Sequence, residues 1–147
     1  MEYFLDNILD SGSIRASPTD KPDQDYNFHW VRDAAIVIKS VITLYIEDKT
    51  NTKFKEIIDK YILTELKHIK HHPAEPKFLL DQTPFLGDWG RPQNDGPAMR
   101  GIVCLKLLKL FPNKSHTLLT IIYNDLSYTI DELDQPCFNL WLFLYWS

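Results

Sequence analysis

Two cysteines among 147 residues, Cys104 and Cys137, are too few for a disulfide framework and form neither a CxxC pair nor a zinc-ligand set. Both read as ordinary core thiols. An excess of basic residues is also missing: 16 Lys and Arg against 20 Asp and Glu leave a net charge of −4, with the cations scattered. Binding a phosphate backbone needs clustered cations, so a nucleic-acid partner is not expected. The longest apolar run, Leu140 to Trp146, falls far short of the roughly 20 residues that cross a bilayer. The opening Met1-Glu2-Tyr3-Phe4-Leu5-Asp6 has neither the basic nor the apolar region of a signal peptide, so the sequence assigns no compartment.

What is present is a chain with 44% hydrophobic and 13% aromatic residues, enough for a buried core, read here as one unit over residues 1–147. Phe4 to Leu9 reads as the last turns of a helix, closed by Asp10-Ser11-Gly12-Ser13. Pro18 and Pro22 then give an extended polar connection from Arg15 to Asn27. From His29 to Ile46 apolar residues surround nearly the whole circumference of a helix, which predicts burial on most sides. Lys53 to Lys70 has one apolar stripe, Phe54, Ile57, Ile58, Tyr61, Ile62, Leu66 and Ile69, as a surface helix does. Lys77 to Pro97 is a long proline-bearing loop, of the length that usually carries function. A helix from near Pro97 to Pro112 uses Met99, Ile102, Val103, Leu107 and Leu110. The last, about Ser115 to Ile130, uses Leu118, Leu119, Ile122, Leu126 and Ile130. No strand-period alternation competes, so the fold class is all-α.

Two clusters could carry chemistry. Trp30, Arg32 and Asp33 lie within four positions at a helix start. A sugar offers an apolar face that stacks on an aromatic ring and a rim of hydroxyls that need donors and acceptors. Trp supplies the platform, Arg a rigid donor fork, Asp an acceptor-only group. The plainer alternative is that Asp33 steadies the helix N-terminus while Trp30 fills the core. The second cluster surrounds Trp89, set between Gly87 and Gly90, with Arg91, Gln93, Asn94, Asp95 and Arg100. Its plainer alternative is an Arg–Asp network pinning a proline-rich turn. His68, His71 and His72 with Glu75 have metal-ligand spacing, but histidines in a last helical turn suit the helix dipole, and Lys67 and Lys70 repel a cation. Neither a metal nor another cofactor is expected.

The motifs run in a familiar order: Ala16-Ser17-Pro18-Thr19-Asp20, Tyr26-x-Phe28-x-Trp30-x-Arg32-Asp33, Glu75-Pro76-Lys77-Phe78, Trp89-Gly90-Arg91-Pro92-Gln93-x-Asp95-Gly96-Pro97-Ala98-x-Arg100, and Asn124-Asp125-Leu126-Ser127-Tyr128. In this the chain resembles the glucoamylases of glycoside hydrolase family 15. The resemblance implies the N-terminal part of a catalytic domain folded as an (α/α)₆ toroid of six helical hairpins, with less than half of its helices here. It implies exo-hydrolysis of α-1,4-glucans such as starch, glycogen and maltooligosaccharides, releasing glucose from non-reducing ends with inversion. The sugar contacts it implies are Trp30, Arg32, Asp33, Trp89, Arg91 and Asp95. Relatives of this kind are often secreted or vacuolar.

Inversion needs a general acid and a carboxylate base roughly 6.5–9.5 Å apart. Where the family has Asp-Leu-Trp-Glu-Glu, this chain reads Asn139-Leu140-Trp141-Leu142-Phe143, so Leu142 stands in the position of the acid. The base belongs to a later part of the family's domain. The expectation is therefore a chain that retains sugar-binding motifs, offers no catalytic residue and is inactive alone, with self-association through unclosed helical faces. The alternatives are a non-catalytic carbohydrate-binding or interaction protein, or the remnant of a truncated gene.

Overall fold

A computed structural model describes residues 3–17 and 25–138. A short 3-10 helix, Tyr3–Asn7, replaces the α-helical turns expected there. Strand β1 (His29–Trp30) leads directly into α1 (Val31–Glu47), followed by α2 (Thr52–His68), strand β2 (Lys77–Phe78), α3 (Asp95–Leu110), a 3-10 turn (Pro112–Lys114) and α4 (Ser115–Asp131). Asn51 starts α2 by accepting the amides of Lys53 and Phe54, which satisfies two donors left free at any helix start. The two strands form a two-residue antiparallel ladder that is too short to leave a period in the sequence.

Helices α1 and α3 run side by side. Arg32 and Asp95 join their first turns, and Tyr45 stacks on Phe111 at the far end with ring centroids 5.3 Å apart. A Cβ on Gly96 would lie 3.4 Å from Val31, an ordinary contact, so the two helix starts lie against each other there. Helix α2 packs on α1, α4 packs on α3, and α2 meets α4, giving two hairpins in two layers. Ala34, Ala35, Ile38, Ile58, Tyr61, Cys104, Leu107, Leu118 and Ile121 fill the space between them. No described helix is long and apolar enough to cross a membrane.

The periodicity located the helices better than their buried faces. Only one face of α1 is covered; Ile36 and Ile46 are exposed, contrary to burial on most sides. On α4, Leu119, Leu126 and Ile130 are exposed while Ile121 and Asp125 are buried. On α3, Ile102 is exposed and Cys104 is buried instead. Cys137 is half-buried, not a core thiol. The buried stripe of α2 turns polar at its C-terminal end, where Thr64, Glu65 and His68 replace the expected Leu66 and Ile69 as the fully covered positions.

Those polar groups belong to a buried network. Asp125 accepts two hydrogen bonds from Arg100, at 2.7 and 2.8 Å, and Arg100 also donates to Glu65 at 3.0 Å. Burial works against the Arg100 charge, but Asp125 and Glu65 outweigh it and hold its pKa above the ordinary arginine value. The other Glu65 oxygen lies 2.8 Å from His29 Nε2. His29 Nδ1 accepts the Ile14 amide at 2.9 Å, which fixes the tautomer with the proton on Nε2, directed at Glu65. His68 stacks on Phe78 at 3.8 Å between centroids, and neither of its ring nitrogens has a hydrogen-bond partner among the described residues.

Burial pushes the His68 imidazole down to about 4 from an ordinary 6.5. An unfolded chain binds this proton at the ordinary value, so stability is full above about pH 6.5 and falls as pH drops toward 4, by on the order of 3 kcal/mol. Urea unfolding at pH 7 and 4.5 reads this loss. His68→Gln should remove that part of the slope, and equal slopes in the two proteins would contradict the assignment.

Candidate functional site

The β1–β2 ladder pairs Trp30 with Lys77 and His29 with Phe78, and the Val31 amide donates to the Pro76 carbonyl at 3.0 Å. Successive side chains of a strand point to opposite faces. His29 and Phe78 therefore face the buried network, while Trp30 and Lys77 share the other side. There the Trp30 indole donates to the Asp25 carbonyl at 2.5 Å and meets Trp89 edge to face, with centroids 5.3 Å apart and planes at 69°. Trp30 is 8% exposed and Trp89 37%, so the second indole offers the open surface. Phe28 and Phe85, themselves 5.1 Å apart, complete an aromatic box around the Lys77 ammonium.

The polar half of the site starts two residues beyond Trp30. Arg32 donates to Asp95 at 2.7 Å and to Asp33 at 3.2 Å, spanning the first turns of α1 and α3. Burial works against the Arg32 charge, yet the hydrogen bond and field of Asp95, then of Asp33, hold its pKa above the ordinary value. One cation thus sits between two carboxylates that remain partly open, with 36% of the Asp33 side chain and 27% of the Asp95 side chain accessible. Asp95 Oδ1 is itself buried and has no hydrogen-bond partner among the described residues, so the accessible part of Asp95 is elsewhere on its side chain. Such a trio can receive hydroxyl hydrogens at the acids and donate from the guanidinium.

Of the six residues expected at a sugar, Trp30 and Trp89 come together, and Arg32, Asp33 and Asp95 come together. Arg91 points elsewhere: its Nε reaches both Glu75 oxygens at 2.8 and 2.9 Å, and its other nitrogens bond the carbonyls of Phe85, Gly87 and Trp89. It pins the loop through Glu75, where the plainer alternative had an Arg–Asp network. Gln93 and Asn94 are likewise spent on structure, on the Gly90 carbonyl, the Glu132 carbonyl and the Tyr128 hydroxyl, and Arg100 is buried in the network. Sequence reasoning gave no role to Lys77, whose only advance signal was its place in Glu75-Pro76-Lys77-Phe78.

The metal-spaced histidines do not converge: His71 and His72 are exposed, Glu75 holds Arg91, and only His68 turns inward. Inside, donor atoms of His29, Glu65 and His68 lie within 4.8 Å of one another. That set does not fit a cation. His29 Nε2 keeps its proton because Nδ1 is an acceptor, and the Arg100 guanidinium already sits on Glu65.

The sequence profile of glycosyl hydrolases family 15 matches residues 6–141. This chain belongs to that family. The probable glucoamylase of Schizosaccharomyces pombe is 36% identical to this family 15 chain over 168 aligned positions, covering 96% of the chain and 36% of the relative. Glucoamylase-1 of Schizophyllum commune is 34% identical, covering 89% of the chain and 25% of the relative. Among solved structures, the glucoamylase from Saccharomycopsis fibuligera superposes with a TM-score of 0.84 at 28% identity, over 95% of this chain and 36% of that one. Hormoconis resinae glucoamylase does so with a TM-score of 0.83 at 31% identity, over 95% and 28%. The two hairpins are accordingly part of an (α/α)₆ toroid, and the chain spans about a third or less of the length of these relatives. Leu142, expected at the position of the acid, lies outside the described residues with Asn139, Trp141 and Phe143, as do Pro18 and Pro22.

Proposed function

We propose that residues 1–147 are the N-terminal part of a glucoamylase-type catalytic domain and that they bind the terminal glucose of an α-1,4-glucan. The observation that carries this reading is the Arg32–Asp33–Asp95 trio, two residues on from the Trp30 indole that crosses Trp89, in a family 15 chain. The glucose hydroxyls lie against Arg32 and Asp33, with Asp95 behind the guanidinium. The open face of Trp89 takes the apolar face of a sugar near the bond to be cut. Arg91, paired with Glu75, acts by holding the loop that carries Trp89.

In the whole reaction, one carboxylic acid protonates the leaving oxygen while a carboxylate on the opposite sugar face activates water, so the anomeric configuration inverts. Asp33 and Asp95 are unsuited to either task because both accept from one guanidinium. By its place after Asn139-Leu140-Trp141, Leu142 takes the place of the acid, and leucine has no proton to give. General acid–base help contributes about 10²–10⁴-fold, so this chain binds sugar without appreciable turnover. A second reading, a non-catalytic carbohydrate-binding or interaction protein, draws on the same Leu142. In either case the exposed Leu119, Tyr123, Leu126 and Ile130 of α4 form an apolar surface through which copies of the chain associate.

Calorimetric titration with maltotriose should give a binding isotherm that Trp89→Ala and Asp33→Ala each weaken at least about tenfold, as loss of one well-made contact to a charged or stacking group does. Absence of binding by the folded chain would end the reading. A glucose-release assay on maltoheptaose separates the two readings of the family domain: binding without release is the expected result. Sedimentation at rising concentration should show a mass above that of one chain, reversed toward it by Tyr123→Lys; a strictly monomeric chain would refute association through α4.

A further inference from the structure

We propose that Lys77 is the positioning residue of the aromatic platform: its ammonium, enclosed by four rings, sets the crossing of Trp30 and Trp89 and thereby the indole face left for a sugar. The proposal rests on the sugar-binding reading above and adds the group that orients its platform.

Lys77 Nζ lies 3.5 Å from the centroid of Trp89, 4.2 Å from Phe85, 4.3 Å from Phe28 and 5.0 Å from Trp30. Its side chain is 1% exposed, with Asp25 3.5 Å away. The ladder explains how the ammonium gets there, because residues paired across antiparallel strands put their side chains on the same face and Lys77 is the partner of Trp30. A methionine of similar length would fill the same box without removing a charge from water. Retaining an ammonium in that place needs a compensating attraction, which the Asp25 carboxylate supplies from one side and the negative faces of four rings from the others. Over Trp89 the cation occupies one face, so the ring can stack on a ligand only with the other. Van der Waals filling would leave the tilt of the indole loosely set; a cation at 3.5 Å restricts it.

The test uses the full chain with Lys77→Met and Lys77→Arg, read by circular dichroism melting, by indole emission with Trp89→Phe as the control that isolates Trp89, and by maltotriose titration. Lys77→Met should melt cooperatively, change the Trp89 emission and weaken maltotriose about tenfold, whereas Lys77→Arg, which keeps the cation, recovers most of the affinity. Unchanged emission together with unchanged affinity in Lys77→Met would overturn the proposal. If the wild-type chain binds no maltotriose, the sugar reading fails by itself, and the emission change still decides whether Lys77 sets Trp89. If Lys77→Met does not fold, the wild-type proton spectrum decides: the Lys77 Cε protons are shifted upfield by the surrounding rings, and a resonance at the random-coil position overturns the cage.

Discussion

The Glu65 carboxylate is the constraint on which the other arrangements depend. It is fully buried, so each oxygen must be met by a donor: His29 meets one and Arg100 the other. Burial opposes its ionisation, yet His29, hydrogen-bonded to it, and His68, whose Nδ1 lies 3.6 Å away, hold its pKa well below the ordinary carboxylate range. Through these bonds a residue of α2 fixes strand β1, and through Arg100 and Asp125 it fixes α3 and α4. Buried ion pairs are weak sources of net stability, but removing one partner leaves an uncompensated charge in the interior. Hence the network selects one arrangement of the hairpins more than it strengthens it.

The two-residue ladder carries that selection to the surface. His29 is held from inside, so its neighbour Trp30 has to face outward, and the pairing of Trp30 with Lys77 brings an ammonium under both indoles. Val31 begins α1 immediately after Trp30, which sets Arg32 and Asp33 in a first turn beside that of α3. Trp30, Arg32 and Asp33 thus stand on one short backbone segment. Trp89 is brought to that segment by the loop after β2, which Arg91 pins to Glu75, and Asp95 by the first turn of α3.

Helix existence was legible because the apolar period of 3.6 is strong over each segment; the boundaries of α1, α2, α3 and α4 fall within about two residues of those expected. Burial was less legible. Ile36, Leu119 and Ile130 carry the apolar pattern of a larger toroid, while the four helices described cover only one side of each. The polar interior was invisible to periodicity, since Glu65, His29, Arg100 and Asp125 look like surface residues until each is seen to satisfy another. At the site, Trp30, Arg32, Asp33, Trp89 and Asp95 were marked by residue type and family order, but that order gave no sign that Arg91 is turned to Glu75 and its own loop. Lys77 escaped notice because a lone lysine in a strand has no signature; only cross-strand pairing reveals what it touches.

The account is tested most directly by a crystal of the chain soaked with maltotriose and solved at a resolution that shows sugar hydroxyls. It predicts a terminal glucose bonded to Arg32 and Asp33, with an adjoining ring stacked on the face of Trp89 opposite Lys77. A sugar bound away from these residues, or stacked on the face that Lys77 occupies, would contradict it.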